Sequence, residues 1–163
     1  MVKAPSSSKA PIKVGILTGS PSDLNVVRKA QEVLEQLGVE CEIKVLSAHR
    51  TPERVQAYVA EAPSRGIEVF IACAGLAAHL AGAVAAGTML PVIGLPLASG
   101  PLNGFDALLA TVQMPPGTPV ATVGVDNAKN AAYMAARILA LHDPKLREAL
   151  ESDREEQRKR YDL

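Results

Sequence analysis

The 163 residues are enough for one domain that buries about two thirds of its unfolded surface, and 17 basic residues balance 17 acidic ones, so no global field draws the chain to nucleic acid or an anionic membrane. Aromatic residues make up 3% and tryptophan is absent, which removes the stacking platforms of single-strand binders. Cys41 and Cys73 stand in no metal-ligand spacing, so neither a disulfide nor a zinc scaffold is expected, and a reducing compartment, the cytoplasm, is the simplest home.

Residues 1–11, rich in serine and proline, lack the apolar core of a signal peptide and read as a flexible leader. A β-branched run at 12–18 predicts the first strand. Apolar residues at helical spacing then predict a helix over 24–37, stopped by Gly38. The cycle repeats with a strand at 40–46 and a helix from Pro52 to about Arg65 that carries Val55, Tyr58, Val59 and Ala62 on one face, stopped by Gly66.

A third strand at 69–73 leads into the small-residue loop Ala74 to Gly82 and an Ala-rich helix ending near Gly87. The run 71–86 is apolar but broken by His79 and two glycines, too short and mixed to span a bilayer. Residues 91–95 read as strand four and 105–112 as a short helix that Asn103 can cap. Strand five at 120–123 precedes a long helix capped by Asp126 or Asn127 and reaching about His142. Asp143-Pro144 breaks that helix before a segment with 11 charged residues between Lys145 and Arg160.

Strands alternating with helices predict an α/β fold: a three-layer, flavodoxin-like parallel sheet of five strands in the order 2-1-3-4-5, with an extra C-terminal helix. The expected organisation is one catalytic domain over 12–143, followed by a charged helix and tail over 144–163. In such a sheet ligands bind beyond the C-terminal strand ends, so the loops after strands one, two and three are the candidates.

The first loop, Gly19-Ser20-Pro21-Ser22-Asp23, opens a helix whose free N–H groups favour an anion. A capping box with Ser20 as cap, Pro21 in the first turn and Asp23 three residues on explains the same residues locally. Asp23 also suits sugar hydroxyls, because a carboxylate only accepts.

The second loop, Ser47-Ala48-His49-Arg50-Thr51-Pro52, concentrates the chemistry. Arg50 offers a planar fork that grips phosphate, Ser47 adds a neutral donor, and His49 is titratable near neutral pH. Thr51 is expected to cap the following helix, with Pro52 at its first position. In the third loop Ala74, Gly75, Ala78, His79 and Leu80 leave room for a flat ligand close to the backbone, and the helix dipole at His79 favours a neutral ring.

Together, Gly-Ser-Pro-Ser-Asp, Ser-Ala-His-Arg-Thr-Pro, Ala-Gly-Leu-Ala-Ala-His-Leu and Gln113-Met114-Pro115 make the chain, over residues 12–145, resemble the N5-carboxyaminoimidazole ribonucleotide mutases of purine synthesis. The resemblance implies a homo-octamer with no metal and no organic cofactor. It places the ribonucleotide's phosphate and ribose on Ser20, Asp23 and Arg50, with Ser22 and Ser47 nearby, and proton transfer on His49. It implies a carboxylate moving from the exocyclic nitrogen to ring carbon 4, by loss and recapture of carbon dioxide. Leu76 and Ala81 stand where the family usually has Gly and Pro, and Cys73 where it has a small residue, which alters the backbone freedom of the third loop.

Two other readings are distinguishable. The related direct carboxylase, which uses free carbon dioxide, usually carries Lys in place of Arg50. A non-enzymatic flavodoxin or receiver module on the same fold would need aromatic rings in these loops, or a carboxylate after strand three, where Cys73 stands.

Overall fold

A computed structural model describes residues 11–162; the leader expected over 1–11 lies outside them except for Pro11. The chain runs β1 (Val14–Thr18), a 3-10 turn (Pro21–Asp23), α1 (Leu24–Gln36), β2 (Cys41–Val45), α2 (Pro52–Glu61), a second 3-10 turn (Ala62–Arg65), β3 (Val69–Gly75) and α3 (Leu80–Ala86). It continues through β4 (Val92–Leu97), α4 (Phe105–Val112), β5 (Ala121–Thr122), α5 (Ala128–Leu139) and α6 (Pro144–Lys159). The sheet order is β2-β1-β3-β4-β5 and every pairing is parallel, as the alternation of strands and helices requires.

Strand periodicity sorts the core into two layers. Val14 and Ile16 of β1 and Val69, Ile71 and Cys73 of β3 pack with Val27, Ala30 and Leu34 of α1 and with Ala131, Ala132 and Ala135 of α5. The intervening Leu17, Phe70 and Ala72 face Val55, Tyr58 and Val59 of α2 and Leu80, Ala81 and Val84 of α3. The alanines of α5 are fully buried, so that helix lies close against α1 and the sheet. α1 and α3 therefore leave their strands toward opposite faces, which opens a crevice above β1 and β3.

Register shapes that crevice. Thr18 ends β1 opposite Cys73, but β3 runs on through Ala74 and Gly75, paired with Pro96 and Leu97 of β4. The two strands overshoot the expected ends and form a wall beside the β1 terminus.

Three caps differ from expectation, two because a nearer partner competes and one because its backbone turns left-handed. Thr51 makes no capping bond; its hydroxyl donates to Ser47 O and accepts from Ser47 N, both at 3.1 Å, and so closes the second loop instead. Asn103 is itself left-handed at φ 49°, and Gly104 at φ 87° takes the position before α4. Ser20 does accept from Ser22 N, but Asp23 turns its carboxylate to Thr18 and Ser22, so the reciprocal half of the capping box is absent. Asn127, rather than Asp126, caps α5 through Asn130 N.

α6 docks on α5. Leu146 is buried, Tyr133 donates to Asp153 at 2.9 Å, and Gln157 donates to both of them. Asp143 caps the helix through Leu146 N. No helix among the described residues is long and apolar enough to cross a membrane.

Candidate active site

The loops after β1, β2, β3 and β4 enclose a cavity of about 280 Å³. Ser20, Ser22 and Asp23 line it from the first loop and Ser47, His49 and Arg50 from the second. Ala74, Gly75 and Leu80 come from the third. Two expected residues lie off the wall: Ala78 is 1% exposed and packed inward, and His79 meets the site through His49.

A short chain of hydroxyls and one carboxylate sits at the β1 end. Ser22 Oγ lies 2.8 Å from Ser20 Oγ and 3.1 Å from Asp23 Oδ1, so its single proton serves one of them at a time. The fully buried Thr18 donates to Asp23 Oδ2 at 3.1 Å. That bond aims the carboxylate from below and leaves its remaining lone pairs toward the cavity. Cys73 lies beneath: burial first, and then the Asp23 charge, push its thiol far up, so it stays protonated and inert.

Arg50 bridges two loops. Its Nη2 donates to Gly19 O at 2.7 Å, while its backbone N and Nε point at Ser47 Oγ at 3.2 and 3.4 Å. The guanidinium is thus held in place with part of its fork still unbonded to protein, which is what recognition of an anion requires.

His49 is exposed at the cavity rim, and its Nε2 is 2.9 Å from Nδ1 of His79. The two rings stand edge to face, at 88° with centroids 4.9 Å apart.

Gly19, Ala48, Leu76, Ala77 and Ser99 line the wall without being among the expected site residues, and Thr18 supports Asp23 from beneath it. Ser99 follows β4, and since β4 neighbours β3 the sheet order alone brings its loop to the crevice. A Cβ on Gly75 would come within 2.7 Å of Ser99 Oγ, so glycine there is what admits the serine. Leu76 holds φ 55° and is half exposed, with its side chain against Gly100. Met114, from the fourth motif, instead packs on Gly82 of α3.

A larger groove of about 690 Å³ runs between α5 and α6. Its Tyr133, Asp153 and Gln157 bond one another, and Arg137, Glu151 and Arg154 also line it, but none of the sequence-predicted site residues does. Among the described residues no three His, Cys, Asp or Glu side chains come together in a way that could hold a metal ion.

Residues 13–160 match the AIR carboxylase family. The N5-carboxyaminoimidazole ribonucleotide mutase of Pyrococcus abyssi is 57% identical over 147 residues, covering 90% of this chain and 84% of that protein. The phosphoribosylaminoimidazole carboxylase of Candida albicans is 53% identical over 81% of this chain but only 23% of its own length. Among solved structures, Treponema denticola PurE superposes with a TM-score of 0.84 at 32% identity, over 91% of this chain and 92% of that one.

Proposed function

Because the chain belongs to the AIR carboxylase family, we propose that it converts N5-carboxyaminoimidazole ribonucleotide to 4-carboxy-5-aminoimidazole ribonucleotide in purine biosynthesis. The observation that carries this reading is the pairing of relatives named as mutases over most of their length with a crevice that joins a held guanidinium to an imidazole. The carboxylase of Candida albicans shares the domain but is mostly other sequence, which favours the mutase over direct carboxylation.

In this reading Arg50 and the hydroxyls of Ser20, Ser22 and Ser47 hold the phosphate, and Asp23 accepts from the ribose. A carboxylate repels a phosphate and suits a hydroxyl, and Thr18 fixes it for that role. Ala74, Gly75 and Leu80 flank the heterocycle, where the first two leave room for a flat ring to approach the backbone.

His49 carries the proton. It gives one to the exocyclic nitrogen as the bond from that nitrogen to the carboxylate carbon breaks and carbon dioxide forms. Ring carbon 4 then attacks the retained carbon dioxide, and His49 takes back the proton that this carbon loses. The proton count closes on one imidazole, so the route calls for no cofactor. Holding the released carbon dioxide beside its acceptor is catalysis by proximity.

The working form is a cytoplasmic homo-oligomer, an octamer as the family resemblance implies. Leu102, Phe105, Leu109 and Val112, in and just before α4, are each about half exposed or more. An apolar stripe of this kind is what a second subunit would cover. Sedimentation at micromolar concentration tests this, and a monomer would count against it.

The deciding assay supplies N5-carboxyaminoimidazole ribonucleotide in one arm and aminoimidazole ribonucleotide with bicarbonate in the other. Turnover of the first at low bicarbonate is expected. Turnover only in the second arm would make the protein a direct carboxylase, and turnover in neither would remove the enzymatic reading.

A further inference from the structure

We propose that His79 is a positioning residue for His49: its Nδ1 accepts a hydrogen bond from the His49 Nε2–H and leaves His49 Nδ1 as the nitrogen that meets the substrate. The proposal rests on the reading of His49 as the proton carrier.

The geometry is specific. A separation of 2.9 Å between two ring nitrogens is a hydrogen bond, and only one proton fits between them. His49 can donate from Nε2 to Nδ1 of His79 while His79 keeps its own proton on Nε2. Both rings are then in the tautomer that a free neutral imidazole prefers, so the bond forms without a tautomeric penalty. The reverse assignment places both rings in the less favoured form.

The perpendicular arrangement at 88° adds an edge-to-face contact, which restricts rotation of a ring that is otherwise exposed. His79 is itself set by the chain: it sits immediately before α3, its N–H bonds Ala77 O at 2.8 Å, and its carbonyl accepts from Ala83 N at 3.0 Å. Its side chain makes no helix-capping bond and remains available to His49.

The arrangement resolves a difficulty in the proton steps. A histidine that must first give a proton and then take one needs the same nitrogen facing the substrate in both steps. With Nε2–H tied to His79, the cationic His49 gives the Nδ1 proton to the exocyclic nitrogen as carbon dioxide departs. The neutral ring then presents a bare Nδ1 to the proton on carbon 4, and recovery of that proton restores the cation. His79 neither gains nor loses a proton, which distinguishes orientation from relay.

The test uses full-length His79→Leu and His79→Asn, read by turnover and by 15N-histidine spectra. The chain has only three histidines, His49, His79 and His142, so the ring signals are assignable. The asparagine amide can offer an acceptor near the place of Nδ1 but does not titrate. His79→Leu should lower kcat by about 10- to 100-fold, as loss of an orienting partner does, with KM within about twofold, and His79→Asn should recover most of kcat. In the spectra, neutral His49 should show the Nε2–H tautomer in the wild type and in His79→Asn, and shift toward a tautomeric average in His79→Leu.

Unchanged kcat in His79→Leu would overturn the proposal. So would a loss confined to KM, which marks a substrate contact, or equal loss in both variants, which marks a proton-transferring His79. A wild-type chain with no mutase turnover would instead sink the functional reading, and the tautomer spectra would then decide the His49–His79 bond without it.

Discussion

Arg50 Nη2 and the carbonyl of Gly19 are 2.7 Å apart, and this bond ties the loop after β2 to the loop after β1. The cation is therefore held over the first loop's hydroxyls before any ligand arrives. Arg50→Ala should weaken binding of the ribonucleotide by about 2 to 3 kcal/mol, the scale of a charged hydrogen bond, with the folded state little changed because the side chain is exposed. Calorimetric titration with aminoimidazole ribonucleotide measures it, and unchanged affinity would move the phosphate away from Arg50.

His49→Asn should separate binding from chemistry. The amide occupies similar space but cannot take up a proton at neutral pH, so affinity for the ribonucleotide should stay within about threefold while kcat falls at least ~100-fold, the usual size of a general acid–base contribution. Stopped-assay turnover beside equilibrium binding reads both. Near-normal turnover in this variant would falsify the role given to His49.

Sheet order, strand phase and the first two loops were legible because they follow from periodicity: β-branched runs alternate with helical spacing, and Gly38 and Gly66 do adopt the left-handed stops expected of them, at φ 76° and 92°. Two of the misassigned caps share one cause: Thr51 and Asp23 are residue types that satisfy a cap or a nearby loop group equally well, and only tertiary proximity chooses between them, whereas Asn103 is itself left-handed and Gly104 takes its place. The His49–His79 bond and the Arg50–Gly19 bond join residues 30 and 31 positions apart, which no local pattern can reveal. β5 came out shorter than its apolar run because it sits at the sheet edge, pairing only through Ala121 and Thr122.

Leu76 holds φ 55° where a side chain costs about 1 to 2 kcal/mol and glycine almost nothing. At an ordinary loop position alanine is more stable than glycine, by about 0.4 to 1 kcal/mol, because it restricts the unfolded chain. Here the order should reverse, with Leu76→Gly more stable than Leu76→Ala by about 0.5 to 1 kcal/mol. Urea unfolding of the two variants gives the sign directly, and alanine above glycine would mean that the left-handed conformation is not the native one.

Glu42 anchors the edge strand β2 to α2: Tyr58 donates to it at 2.9 Å, Arg65 at 2.5 Å, and Lys44 lies 3.3 Å from its other oxygen. Burial pushes its carboxyl up, but the hydrogen bonds from Tyr58 and Arg65 and the Lys44 ammonium outweigh burial, and the net position is below the usual carboxylate range. A carboxyl depressed in the folded state binds its proton more readily when unfolded. Its stabilising contribution is therefore complete above the unfolded value, about 4.3 for glutamate, and is lost as pH falls through the lower folded value. Glu42→Gln should accordingly be less stable than the wild type by about 1 kcal/mol at pH 7, and the gap should start to narrow as pH falls past about 4.3 and close only below the lower folded value. Denaturant midpoints across pH 3 to 7 measure the gap; a constant gap through the acid range would show that the Glu42 charge contributes nothing to holding β2 on the sheet.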